Sequence, residues 1–130
     1  RPDMSYFKFL NNLRLGKKIK VYNNGDHMRD FTHISDVVEG IIQSIKVNNS
    51  CKIFNLGNNS PVKLLTFIET LEKVSGKTFE KEFLEFQKGD VHSTFADLDR
   101  TKAELNWSPK TSLEEGLDEF YSWYKNYYSY

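Results

Sequence analysis

Extended segments are few and short in this chain, and that limits the folds open to it. Residues 18–22, KIKVY, alternate apolar and polar side chains as a half-buried strand does. Residues 52–56, KIFNL, form a short apolar strand, and 78–86, TFEKEFLEF, set Phe79, Phe83 and Leu84 among charges as an edge strand would. A short extended piece, RDFTHI, is the fourth candidate. Helical patterns separate these pieces. Such alternation predicts a layered, mixed α/β (α+β) architecture, yet the strands are too few for a self-contained sheet. Two readings follow: a small α+β domain, or part of a larger sheet protein.

The helical patterns carry their own start and stop signals. From Met4 to Leu15, Phe7, Leu10 and Leu13 recur at helical spacing with Tyr6 and Phe9 beside them, Asp3 is the expected cap, and Gly16 the stop. NNGD after the first strand predicts a turn. Residues 35–47, SDVVEGIIQSIKV, start with Ser35 and Asp36 as expected caps and carry Val37, Val38, Ile41, Ile42 and Ile45 on one broad face, the pattern of a packed helix. Ser60 and Pro61 suit the cap and first position of a helix that runs to about Val74 and stops at Gly76. A short helix is expected near 99–105, and Ser112 with Glu115 forms a capping box for the last helix.

At 130 residues, with 38% hydrophobic and 28% charged side chains, the chain fits one folded domain able to bury a core. Eighteen basic and eighteen acidic residues cancel, so no net field favours nucleic acid or an anionic bilayer, and any anion must be met locally. One cysteine, Cys51, forms no internal disulfide and fits a reducing cytoplasm. No apolar run approaches the roughly 20 residues of a membrane helix, and no signal peptide is visible. The chain opens on Arg1 and runs straight into a helical pattern, so an upstream segment is expected.

Several constellations invite a chemical reading. No glycine-rich dinucleotide cradle and no P-loop occurs, so the chain by itself cannot hold a whole dinucleotide in that manner. Tyr121-x-x-x-Lys125 mimics a catalytic tyrosine–lysine pair, but it lies in an aromatic-rich terminal helix, where amphipathic packing accounts for it. His27, Asp30 and His33 suit a metal chemically; on a strand, however, Asp30 faces away from His33, so no metal site is expected. The aromatic tail FYSWYKNYYSY has the spacing of a core-facing stripe. Arg29 and the QKGD loop are different, because each follows a turn or strand end, where ligand groups commonly sit. A guanidinium forks onto phosphate oxygens, a carboxylate such as Asp90 accepts from two ribose hydroxyls, and Tyr22 is able to pack on a base. A solvated hairpin and a plain surface loop stand against this nucleotide reading, and the residues alone leave both open.

RPDM (1–4), RDFTHISD (29–36), GNNSPVKL (57–64), QKGDVHS (87–93) and TSLEEG (111–116), in this order, resemble the carboxy-terminal portion of nucleotide-sugar epimerases. These are extended short-chain dehydrogenase/reductases, and the likeness is greatest to the UDP-glucuronate 4-epimerases. The resemblance spans essentially the whole chain. It implies that Arg29 holds the diphosphate of a UDP-sugar while Asp30 and Phe31 are structural. It further implies that Asp90 meets the ribose hydroxyls, Gln87 reaches toward the diphosphate, Tyr22 lies against uracil with Met4 near the same base, and Arg1 lies near the phosphates or the sugar carboxylate. Glutamine at 87, where galactose-type relatives have arginine, points to glucuronate. LNW (105–107) stands where relatives often carry LGY, a packing change.

The resemblance also says what is lacking. Family members hold NAD in an amino-terminal Rossmann domain and there oxidise the sugar at C4 with a Ser/Thr and a Tyr-x-x-x-Lys pair. The 4-keto sugar then rotates and takes the hydride back on its other face. The chain is therefore expected to be a single substrate-binding fragment, 1–130, with no catalytic residue of its own, binding no NAD and inactive in isolation, from a cytoplasmic enzyme of polysaccharide biosynthesis that converts UDP-glucuronate to UDP-galacturonate. Residues 35–57 resemble the last helix and strand that return to the Rossmann sheet. Without that sheet, Val38, Ile42, Ile53 and Phe54 are expected to be exposed and to drive a homo-oligomer, in the simplest case a dimer. Other NAD-dependent sugar-nucleotide dehydratases, decarboxylases or epimerases share the same nucleotide contacts, and a stand-alone, non-catalytic binding or interaction module is the remaining alternative.

Overall fold

The computed structural model describes residues 3–47 and 52–130; Arg1 and Cys51 lie outside the described residues. The elements follow in the order α1 (Ser5–Arg14), β1 (Ile19–Tyr22), a 3-10 turn (Asn23–Gly25), β2 (Met28–Arg29), α2 (Ile34–Lys46), β3 (Val62–Lys63), α3 (Leu64–Ser75), β4 (Lys81–Leu84), α4 (Asp99–Leu105) and α5 (Leu113–Tyr128). β1 pairs in parallel with β4, Ile19 opposite Lys81 and Tyr22 opposite Leu84. β2 pairs antiparallel with β3, Met28 opposite Lys63 and Arg29 opposite Val62. Two-stranded pieces of this length cannot bury a core alone, so the helices do it.

The alternation in KIKVY is realised: Ile19 and Val21 are fully buried while Lys20 faces water. Leu10 of α1, Phe67, Ile68 and Leu71 of α3, and Leu117, Tyr121 and Tyr124 of α5 close over them. Phe79, ahead of β4, enters the same core, whereas Phe83 stays exposed as expected of an edge. α3 stops at Ser75 because Gly76 turns left-handed, with φ 64°. α5 opens on the expected capping box: Glu115 N–H donates to Ser112 Oγ (3.2 Å), and Ser112 N–H donates to Glu115 Oε2 (2.9 Å). A second apolar cluster gathers Leu98, Leu105 and Trp107 with Phe54 and Leu56. Asn106, between Leu105 and Trp107, caps α4 at φ 49°, a left-handed conformation that asparagine tolerates and glycine adopts freely.

Four local expectations differ, and long-range contacts account for three of them. Met4, not Asp3, occupies the cap position of α1, with no side-chain cap. α2 begins at Ile34 behind His33, and neither Ser35 nor Asp36 caps it. Ser35 Oγ pairs instead with His33 Nδ1 (2.8 Å), and Asp36 is buried, accepting from Lys110 N–H (3.2 Å) and Thr111 N–H (3.0 Å) while Trp107 Nε1–H donates to its carbonyl (3.0 Å). α3 begins at Leu64, not at Pro61, because Val62 and Lys63 are paired with β2 and Ser60 N–H donates to Asp30. Residues 52–56 form no strand, since no neighbouring strand among the described residues offers them a ladder. Asn55 is held by side chains instead: Thr101 Oγ1–H donates to its carbonyl (2.7 Å) and its Nδ2 donates to the carbonyl of Asp97 (3.1 Å).

The apolar face of α2 is open. Val38 is 45% exposed, Ile41 50%, Ile42 48% and Ile45 78%, and Ile53 reaches 83%. The expectation for Phe54 is corrected, because it packs against the Leu98–Trp107 cluster.

Asp36 joins the start of α2 to the approach to α5, so Asp36→Ala is expected to cost about 1–2 kcal/mol by leaving two part-buried main-chain donors without an acceptor. Urea unfolding measures this, and a loss below about 0.5 kcal/mol, the size of an ordinary surface change, would contradict the role.

Candidate functional site

The turn after β1 aims the site. Asn23 and Asn24 both adopt positive φ (49° and 50°), Asp26 N–H closes the turn on the Asn23 carbonyl (2.8 Å), and Asn23 Nδ2 donates to the Asp26 carbonyl (2.6 Å). The chain leaves this turn through His27 into β2. Met28 binds two segments there: beyond its pairing with β3, its N–H donates to the His92 carbonyl (2.9 Å) and its carbonyl accepts from Thr94 N–H (3.4 Å). The QKGDVHS loop is thereby laid beside Arg29. Gly89, at φ 89°, and Asp90 N–H donating to the Gln87 carbonyl (3.1 Å) turn the loop tip.

Arg29 and Asp90 then meet directly, Nη2 to Oδ1. Arg29 Nη1 also donates to the Met28 carbonyl (2.8 Å), and Val91 N–H donates to Asp90 Oδ1 (2.9 Å). The neighbouring Asp30 points elsewhere: Oδ2 accepts from Asn59 N–H (3.0 Å) and Ala96 N–H (3.1 Å), and Oδ1 from Ser60 N–H (3.2 Å). A Cβ on Gly57 would stand 3.0 Å from Asp30 Oδ2 and 2.4 Å from the Ala96 side chain, so only glycine permits this approach. Phe31 stacks on Phe67 of the core at 4.4 Å. Asp30 and Phe31 are thus the structural residues of RDF.

Met4, Tyr22, Arg29, Gln87 and Asp90 line one cleft of roughly 1210 Å³. Residues from the start of the chain, β1, β2 and the 87–93 loop converge there, and Arg1 lies outside the described residues. Lys8, Lys17, Lys18, Lys20 and Lys88 line the same cleft, and none of them belongs to the candidate residues that the sequence points to. With Arg29 they outnumber Asp3, Asp30 and Asp90, which gives a neutral chain a locally cationic hollow. The run KKIK and the Lys88 before Gly89 were the available signals. Cations, a carboxylate and an aromatic ring around one hollow can together bind an anion, a diol and a planar ring.

The other constellations separate. Lys125 Nζ sits 4.7 Å over the ring of Tyr121, which is buried in the core, so that pair packs. His33 Nε2 pairs with Glu119 (3.1 Å) while Asp30 holds backbone amides, and among the described residues no group of three metal-ligating side chains assembles. In the aromatic tail, Tyr121 and Tyr124 face the core, and Trp123 and Tyr127 stack on each other outside it (5.1 Å). Among the described residues no helix is long and apolar enough to cross a membrane.

His27 lies at the buried edge of the cleft, and its Nδ1 has no hydrogen-bond partner among the described residues. Burial holds its pKa below the ordinary 6.5; Arg29 and His92 push the same way, and Asp90 and Asp26 oppose them. Well above pH 6.5 the ring is neutral whether the chain is folded or unfolded. As pH falls through 6.5 the unfolded chain takes the proton first, so stability declines until the lowered folded value is passed, and is then constant. In denaturation from about pH 8 to pH 5, His27→Gln should therefore gain on the wild type as pH falls. A difference between the two that does not change with pH would remove His27 as the cause.

Known proteins are similar to this chain in sequence and in fold. The GDP-mannose 4,6 dehydratase family matches residues 4–120. The chain is 53% identical over 124 residues to the uncharacterized protein MJ1055 of Methanocaldococcus jannaschii, covering 95% of this chain and 38% of that protein. To the UDP-glucuronate 4-epimerase of Thermodesulfobacterium geofontis it is 42% identical over 126 residues, covering 96% and 39%. The UDP-glucuronic acid 4-epimerase of Bacillus cereus, solved with UDP-glucuronic acid and NAD, superposes with a TM-score of 0.91 at 31% identity, over 98% of this chain and 41% of that one. The chain thus spans about two fifths of the length of the relatives it matches. With a family match running from α1 into α5 and the fold of a nucleotide-sugar epimerase along the same stretch, the chain belongs to the GDP-mannose 4,6 dehydratase family of extended short-chain dehydrogenase/reductases.

Proposed function

We propose that the chain is the substrate-binding region of a cytoplasmic, NAD-dependent nucleotide-sugar 4-epimerase that acts on UDP-glucuronate. The observation that carries this is the convergence of Met4, Tyr22, Arg29, Gln87 and Asp90 on one cationic cleft. In this reading Tyr22 and Met4 border the uracil, Asp90 accepts from the ribose hydroxyls, and Arg29, with Gln87 beside it, holds the diphosphate; Arg1 belongs to the same group. The glucuronate assignment is supported by Gln87 and by relatives named for that substrate.

NAD does not fit this chain: no glycine-rich strand-to-helix cradle is present to receive a pyrophosphate. The residues here bind and orient the sugar nucleotide, and the redox chemistry belongs to the remaining length of the relatives. Arg29→Ala is expected to lower affinity for UDP-glucuronate by about 1.5–3 kcal/mol, the scale of charge-assisted hydrogen bonds. Titration followed by NMR at millimolar ligand measures it, and unchanged affinity would take Arg29 out of the site.

The same reading assigns residues 35–57 to a Rossmann sheet, which would cover Val38, Ile41, Ile42 and Ile45 on α2. In the 130-residue chain this face is expected to recruit a second copy. Sedimentation at micromolar concentration should give a dimer, and a stable monomer would count against the assignment of that face.

A further inference from the structure

The two groups that the proposed function directs at the diphosphate and the ribose are each other's partner. Arg29 and Asp90 are in direct contact, with side chains 26% and 37% exposed. Neither withdraws freely. Arg29 Nη1 is held by the Met28 carbonyl (2.8 Å), Asp90 Oδ1 by Val91 N–H (2.9 Å), and the main chains of β2 and the loop are bonded through Met28 to His92 and Thr94. The two side chains line the same cleft.

An anion that takes the guanidinium alone strips Asp90 of its cation and leaves the carboxylate with one backbone donor, from Val91. A neutral diol that takes Asp90 alone leaves Arg29 without its counter-charge. Each half-ligand therefore works against the ion pair. A molecule presenting an anionic group and vicinal hydroxyls replaces both halves in one event.

We propose that the Arg29–Asp90 pair is a specificity latch, opened by ligands that carry an anionic phosphate and a ribose cis-diol together and resisted by free phosphates and 2′-deoxyribonucleotides. The inference rests on reading the cleft as a UDP-sugar site and adds what that reading lacks, a coupling between its two subsites. Loss of one ribose hydroxyl then weakens binding by more than its own hydrogen bond, because Asp90 competes again for Arg29. Removal of the carboxylate has opposite effects on the two ligand classes: Arg29 is released to simple anions, while the nucleotide loses its diol contact.

NMR titrations of the 130-residue chain and of Asp90→Asn with pyrophosphate, UDP and 2′-deoxy-UDP at one ionic strength test this. Asp90→Asn is expected to bind pyrophosphate about two- to fivefold more tightly than the wild type, the scale of a partly exposed ion pair. It should bind UDP more weakly, and its preference for UDP over 2′-deoxy-UDP should narrow. Asp3→Asn removes a different negative charge from the lining of the same cleft and leaves both Arg29 and Asp90 in place. An equal pyrophosphate gain in Asp3→Asn would assign the effect to net charge and overturn the proposal. Pyrophosphate binding by Asp90→Asn that is unchanged or weaker also overturns it, and leaves the nucleotide site standing if UDP still binds the wild type. No UDP binding to the wild type would overturn the site and the latch together.

Discussion

One carboxylate ties the cleft end of the molecule together. Asp30 receives backbone N–H groups from Asn59, Ser60 and Ala96, so a single side chain fastens the end of β2 to two segments far from it in sequence. Hydrogen bonds to an ionised acceptor are individually stronger than neutral ones, and three on one group define its position in three dimensions. Because Asp30 follows Arg29 directly, this anchoring also sets where the guanidinium stands. Gly57 makes room for it, and Phe31 locks the next residue onto the core. Charge beside charge beside aromatic in RDF is one cleft-lining guanidinium followed by two anchors.

The cleft illustrates how little net charge says about a site. The chain has equal numbers of acids and bases, yet the fold brings lysines from α1, β1 and the 87–93 loop to the hollow that Arg29 occupies. Acidic residues are used elsewhere. Glu72 accepts from Phe79 N–H and Lys81, Asp36 from Lys110 and Thr111, and Glu115 from Ser112. Local electrostatics follows from which carboxylates the fold consumes internally.

What was legible in the sequence was what local chemistry decides. Gly76 ends α3, Ser112 and Glu115 open α5, and the alternation of KIKVY gives β1, each from residues a few positions apart. What was not legible was decided at a distance. Ser60 looks like a cap, but the chain around it is claimed by Asp30 and by β2, and α3 starts later. Asp36 looks like a helix-start residue and is instead a buried acceptor for residues of the α4–α5 connection. For the site, a guanidinium and a carboxylate after turns stood out as candidates, and the fold brings both to one cleft. Their contact with each other was not legible, since it depends on Met28 pairing with the 92–94 segment.

The parallel pairing of β1 with β4 bears on how the chain reaches this state. Ile19 and Lys81 become neighbours only after β2, α2, β3 and α3 have been gathered between them, so the ladder closes a long loop and its entropy must be met before its hydrogen bonds form. Local helices such as α3 and α5 form without that requirement and give the strands a surface on which to meet. Tyr22 and Leu84 end the ladder on the side where the turn into His27 and the QKGD loop begin. Tyr22 and the QKGD loop therefore come to one cleft only with that long-range pairing, and a chain that has collapsed but not yet paired β1 with β4 has a core without a complete cleft.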